Sequence, residues 1–172
     1  MEDRSGQLVT ISDYGDLLLR VGADDNLKTY KVHSTTLRCT SAVFRAMLFG
    51  PWIESRKPKT DAEAGSDEWT VDLPEDDPDS LAILLGIAHA RFDLVPKKNG
   101  PGGWTRQSVH GVAVLADKYD MLHLLGPFAL DMAYCIGHGS TFHIDETSFL
   151  TLQASWELGN KEGFAKELKN MI

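Results

Sequence analysis

The chain has 172 residues, of which 42% are hydrophobic and 24% charged, enough apolar side chain to bury a core without metals or disulfides and outside the disordered and membrane classes. Its formal charge of −8 argues against direct nucleic-acid binding, which needs clustered Lys and Arg; Lys28 with Lys31 and Lys97 with Lys98 are too sparse for that. No apolar run is long enough to span a membrane and Met1–Gly6 lacks the basic-then-apolar order of a signal peptide, so a cytoplasmic or nuclear protein is expected.

Residues 1–14 form an N-terminal segment whose apolar residues are Leu8, Val9 and Ile11; a short swapped strand fits there and a full helix does not. Leu17, Leu19 and Val21 then alternate, as do Tyr30 and Val32, the period of half-buried strands. Ala23-Asp24-Asp25-Asn26 between them is turn material, because Asp and Asn bond their own backbone and tolerate tight geometry. This predicts a hairpin. After His33, either Ser34 or Thr40 can cap a helix whose apolar stripe is Val43, Phe44, Met47 and Leu48, and Gly50-Pro51 stops it.

Residues 54–67, charged and interrupted by Pro58 and Gly65, read as a mobile surface loop. Trp69, Val71 and Leu73 alternate as a third strand. Asp77-Pro78 opens a helix, with a capping acceptor followed by proline at the first helical position; Leu81, Leu84, Leu85, Ala88 and Phe92 supply its buried face. The acidic run Glu75-Asp76-Asp77 is read as favouring that helix start through the macrodipole. The Gly-rich stretch Pro96–Gly103 lacks any Gly-Lys-Ser/Thr or strand-flanked Gly-x-Gly-x-x-Gly and is a connector, not a phosphate cradle. Val109, Val112, Ala113, Ala116 and Tyr119 mark another amphipathic helix, and Gly126-Pro127 kinks or splits the helical stretch from Leu122 to Ile136. Phe149, Leu152 and Trp156, closed by Gly159-Asn160, and then Phe164, Leu168 and Met171 predict two more helices.

The chemistry-bearing residues form no catalytic pattern. Cys39 and Cys135 are the only cysteines; both fall in predicted helices beside apolar residues and are expected to be small buried hydrophobes in a reducing compartment. Cys135, His138 and His143 have a spacing that metals use, yet no fourth ligand and no Cys-x-x-Cys accompany them. There is no Gly-x-Ser-x-Gly elbow, and Ser41 lies where a helix-packing residue is expected. No enzyme activity, cofactor or metal is expected. Trp69 and Trp156 fall on apolar faces and are expected in the core, whereas Trp52 and Trp104 border the two loops and are the candidates for a partner surface, since exposed Trp is enriched at binding hot spots.

Asp16, the alternating run after it, His33, Leu37, Ser41, Phe44 and Met47-Leu48 together resemble the opening of a BTB/POZ domain. The resemblance continues through Phe49-Gly50-Pro51, through Ile87-Ala88-His89-Ala90-Arg91-Phe92 with Val95-Pro96, and through Leu115-Ala116-Asp117-Lys118-Tyr119-Asp120-Met121. These later stretches look most like the BTB proteins of filamentous fungi. The resemblance covers about residues 15–137 and leaves 138–172 as a helical extension similar to the start of a BACK region. It implies an α+β fold, mostly helical with a small three-stranded sheet, in which His33 is a structural residue joining strand to helix.

It also implies protein–protein interaction: BTB domains pair with themselves as homodimers, with cullin-3 as ubiquitin-ligase adaptors, or with transcriptional corepressors. A self-associating interaction domain, most simply a homodimer, is the first expectation, and a cullin-3 adaptor the alternative. Two departures weigh against the corepressor type. The long N-terminal helix of that type has no counterpart before Gly15, and Ser34 stands where those proteins carry a basic residue that pairs with the Asp opening the first strand. The hydrophobic-x-acidic motif of cullin-binding members is not located by the sequence pattern.

Overall fold

A computed structural model describes residues 7–55, 68–97, 102–137, 155–156 and 159–170. Its sheet grows from the predicted hairpin. Strand β2 (Leu17–Val21) pairs antiparallel with β3 (Lys28–Val32), Leu19 opposite Tyr30. Leu17, Leu19, Val21, Tyr30 and Val32 are fully buried, each such large side chain contributing about 1.5–3 kcal/mol relative to exposure. The turn begins at Gly22 with φ of 83°, a left-handed conformation; a Cβ there would also lie 2.8 Å from the Asn26 carbonyl oxygen and from Pro78 Cγ, so only glycine fits. Asp24 follows at φ of 50° in a single 3-10 turn.

The sheet has four strands, not the expected three. Strand β4 (Thr70–Leu73), centred on the predicted Val71 and Leu73, adds parallel to β2 on one side. On the other, β1 (Gln7–Thr10) adds parallel to β3, giving the order β1-β3-β2-β4. The N-terminal segment thus supplies an edge strand to its own sheet, with Ile11 buried just beyond it. Four residues with one buried neighbour carry too little alternation to announce a strand; the backbone partners on β3 create it. The Arg91 guanidinium donates to the Thr10 and Ile11 carbonyls at 3.2 and 3.1 Å and holds the end of that strand.

Helices α1 (Ser34–Thr40) and α2 (Ala42–Phe49) follow the hairpin, α3 (Pro78–Ala88) follows β4, and α4 (Arg106–Lys118) packs on α3. A 3-10 stretch, Leu122–Phe128, leads into α5 (Ala129–Gly137) at the predicted Gly126-Pro127 interruption, and a last helix spans Lys161–Asn170. Asp77 caps α3 by accepting the Ser80 N–H at 2.8 Å, with Pro78 at the first helical position, as expected. Thr105 and Ser108 form a reciprocal capping box on α4 that satisfies its first free N–H groups.

Phe92 does not extend the buried stripe of α3; it is exposed. The helix ends earlier because Ala90 turns left-handed at φ of 58°, with Arg91 N–H returning to the Gly86 carbonyl and Ala90 N–H to that of Ile87, a Schellman end. Asp120, at φ of 55°, closes α4 in the same way, with Met121 N–H on Ala116 and Asp120 N–H on Asp117. Neither site carries the glycine by which such ends are read in a sequence. The acidic run before α3 also does more than favour a helix start: Asp76 is buried and receives the Tyr119 hydroxyl and, at 2.5 Å, the Lys118 ammonium. That network ties the start of α3 to the end of α4. Burial and the Asp76 bond push the Tyr119 phenol well above its ordinary pKa, so it remains a donor.

Candidate partner surface

The residues that carry the family resemblance converge on the corner where β3 enters α1 and α2. His33 is the N-cap residue of α1 but its side chain caps nothing. Asp16, leading into β2, does that work from across the corner: its carboxylate accepts the Ser34 backbone N–H and the Ser34 hydroxyl, each at 2.7 Å. An anion bonded to an orphan helix N–H also sits favourably against the helix dipole. Ser34 and Thr40 are therefore not the caps that the pattern predicts; Ser34 is the first helical residue and Thr40 the last of α1.

The cap of α2 is Ser41, which the sequence pattern treats as a packing residue. Its Oγ accepts the Phe44 N–H at 2.9 Å and donates to the Tyr119 carbonyl at 2.5 Å, so one hydroxyl both starts α2 and fastens it to the end of α4. The Phe44 ring stacks on Tyr119 with centroids 4.3 Å apart and planes 11° off parallel. Leu37, Phe44 and Leu48 are buried, and Met47 packs half-buried at the edge of the core.

Fastening that inner face leaves the outer one apolar and open. Val43 is 38% exposed, and beyond Gly50-Pro51 Trp52 and Ile53 are 58% and 70% exposed. Ala42, Val43, Ala46, Met47, Trp52 and Glu54 line a shallow groove of about 510 Å³. Small exposed residues beside a Trp at the rim make a shallow apolar face that an apolar side chain of a partner can cover. The rim is held in place. Trp69, buried beside β4, donates its indole N–H to the Glu54 carbonyl at 2.7 Å, and Phe49 meets Trp69 edge-on at 6.1 Å with the Arg38 guanidinium 4.9 Å from its ring centre.

The four tryptophans divide differently from expectation. Trp52 is exposed on the groove and Trp69 is in the core, as predicted. Trp104, offered as a second partner-surface residue, is only 9% exposed; it follows the Gly-rich connector inward, its carbonyl accepts the Cys135 thiol at 3.2 Å, and its indole N–H has no partner among the described residues. Trp156, expected in the core, is 70% exposed and touches Phe164 with ring centres 5.6 Å apart. Local pattern reports a helix face; which face meets the body is set by packing that the pattern does not contain.

Cys39 is exposed on the outer side of α1, contrary to the buried-hydrophobe expectation. Cys135 is half-buried, and burial pushes its thiol up against the smaller opposing pull of Arg106, which lowers its thiolate fraction. Of the weighed metal ligands Cys135, His138 and His143, the two histidines lie outside the described residues, as do Phe149 and Leu152, most of the loop predicted over 54–67, and residues 98–101 of the Gly-rich connector. Among the described residues no three His, Cys, Asp or Glu side chains cluster so as to hold a metal, and no helix is long and apolar enough to cross a membrane.

Two features of this surface escaped the sequence pattern. Ser41 carries a legible signal, a Ser immediately before an apolar helix, which Ser34 and Thr40 obscured by offering the same chemistry nearby. Trp52-Ile53-Glu54 is a hydrophobic-x-acidic triplet, and it becomes conspicuous only once the groove puts Trp52 and Glu54 on one rim. No family model matches the chain, and no curated protein matches it either.

Proposed function

We propose that this chain is a non-catalytic protein–protein interaction domain of the BTB/POZ type that self-associates as a homodimer through the outer face of α1 and α2. The observation that carries the reading is the open apolar groove of Ala42, Val43, Ala46, Met47 and Trp52, mounted on helices that Ser41, Asp16 and Trp69 fasten to the core. A preformed apolar face binds without a large ordering cost, and Trp is among the side chains most often found to dominate such contacts. The family resemblance of Asp16, His33, Leu37, Ser41, Phe44 and Met47 is in keeping with it.

Light scattering on a sizing column tests the reading. The chain is expected to run at twice its 19.0 kDa mass, and Trp52→Ala to shift it toward the monomer by about 2 kcal/mol of association energy, the scale of a hot-spot truncation. Because Trp52 is largely exposed, its loss leaves the monomer folded, while the concentration-dependent part of the unfolding transition falls with the association energy. A wild-type monomer at high concentration removes the homodimer.

One observation favours the cullin-3 adaptor as a second reading: Trp52-Ile53-Glu54 has the hydrophobic-x-acidic order associated with cullin-binding members and lies at the groove rim. A pull-down with the N-terminal region of cullin-3 decides it, absence of binding at micromolar concentration leaving self-association. The corepressor reading is disfavoured by the sequence, because Ser34, which bonds the Asp16 carboxylate through its backbone N–H and its hydroxyl, stands where those proteins carry a basic residue.

A further inference from the structure

His89, at the C-cap of α3, has both ring nitrogens committed. Nδ1 lies 2.9 Å from the Leu85 carbonyl, an acceptor only, so Nδ1 carries the proton. Nε2 lies 3.1 Å from the His33 backbone nitrogen, a donor only, so Nε2 must be the bare lone pair. These partners select one neutral tautomer. The bond also spans the fold, joining the end of α3 to the corner where β3 turns into α1.

We propose that His89 is a proton-operated latch: a proton taken up at Nε2 sets two N–H donors against each other and frees the β3–α1 corner from the end of α3. The imidazole is partly buried, and burial holds its pKa below the ordinary histidine value, aided by the charge of His33. The hydrogen bonds at Leu85 and His33 pull the other way, and burial outweighs them. From the corner come the His33 imidazole and the Asp16 carboxylate, the latter engaged by Ser34; from the segment after α3 come Arg91 and Asp93, paired with each other at 2.8 Å. The sign follows. A group whose folded pKa is depressed costs nothing above the unfolded value of about 6.5, and the opened corner gains on the closed one as pH falls below it.

The corner leads directly into α1 and α2, so opening it would also weaken binding at the groove; that consequence rests on the function proposed above, whereas the latch does not. Amide exchange of the full chain by NMR at pH 7 and pH 5, corrected for the intrinsic pH dependence of exchange, tests the latch alone. The His33 amide is expected to lose protection at pH 5 by up to about thirtyfold, the ceiling set by the gap between pH 5 and the unfolded histidine value of about 6.5, while core amides such as Leu19 and Val112 keep theirs. His89→Gln should abolish the response and His33→Gln, which retains the backbone N–H, should preserve it. Equal protection at both pH values, or an undiminished response in His89→Gln, overturns the proposal. Should His89→Gln fail to fold, the 15N shift of Nε2 in the wild type decides: protonation in step with a shift of the His33 amide upholds the latch, and protonation without one refutes it.

Discussion

Helices α3 and α4 approach so closely that a single methyl group is expected to change sign with its neighbour. A Cβ built on Gly111, in the middle of α4, would lie 2.2 Å from Ser80 Oγ and 3.0 Å from Ser80 Cβ. Alanine favours an exposed helix interior over glycine by about 1 kcal/mol, but here the helices must part or Ser80 must move. Overpacking of this kind costs about 1–3 kcal/mol, so Gly111→Ala is expected to destabilise the fold by up to about 2 kcal/mol net of the propensity gain. Ser80→Gly removes both offending atoms. In that background only the propensity term survives, and Gly111→Ala should stabilise by about 1 kcal/mol. Urea unfolding of the four proteins, analysed as a double-mutant cycle, measures the coupling. The same sign in both backgrounds would refute the contact as the reason for the glycine.

Tyr119→Phe keeps the stack on Phe44 but deprives the buried Asp76 carboxylate of a donor, leaving Lys118; a loss of about 1.5–3 kcal/mol is expected in urea unfolding, the range for bonds to charged groups. The same tyrosine, with its folded pKa raised, makes stability fall as pH rises above the ordinary phenol value of about 10, and Tyr30, raised chiefly by burial, adds to it; thermal melts from pH 8 to 11 should show this limb, shallower in Tyr119→Phe. The Arg20–Asp72 pair on adjacent strands is bidentate but exposed, so Asp72→Asn should cost less than about 1 kcal/mol. Its hydrogen bond to Arg20 holds the Asp72 carboxyl below the ordinary value, so that contribution is present above pH ~4 and fades as pH falls further.

Much of the local structure was legible in residue order. The hairpin follows from alternation at Leu17–Val21 and Tyr30–Val32, the start of α3 from Asp77-Pro78, and the stop of α2 from Gly50-Pro51, because each depends on the chemistry of adjacent residues. Asp16, Ser41 and Phe44, singled out by the resemblance, come together around one corner. Their roles were not legible: that Asp16 caps a helix at Ser34, and that Ser41 reaches the Tyr119 carbonyl 78 residues away, depends on chain segments brought together only by folding.

Tertiary structure alone decided which apolar residues are inside. Trp104 and Trp156 exchanged their expected places, Cys39 came out, and β1 became a strand because β3 offered it backbone partners. Amphipathic spacing states that a helix has two faces, but the side turned to water depends on what else needs cover, and here α1 and Tyr119 at the end of α4 cover one side of α2 and leave Val43, Trp52 and Ile53 exposed. The groove is thus a remainder of packing. Sequence order shows the residues that build it, and only the fold shows that they remain exposed.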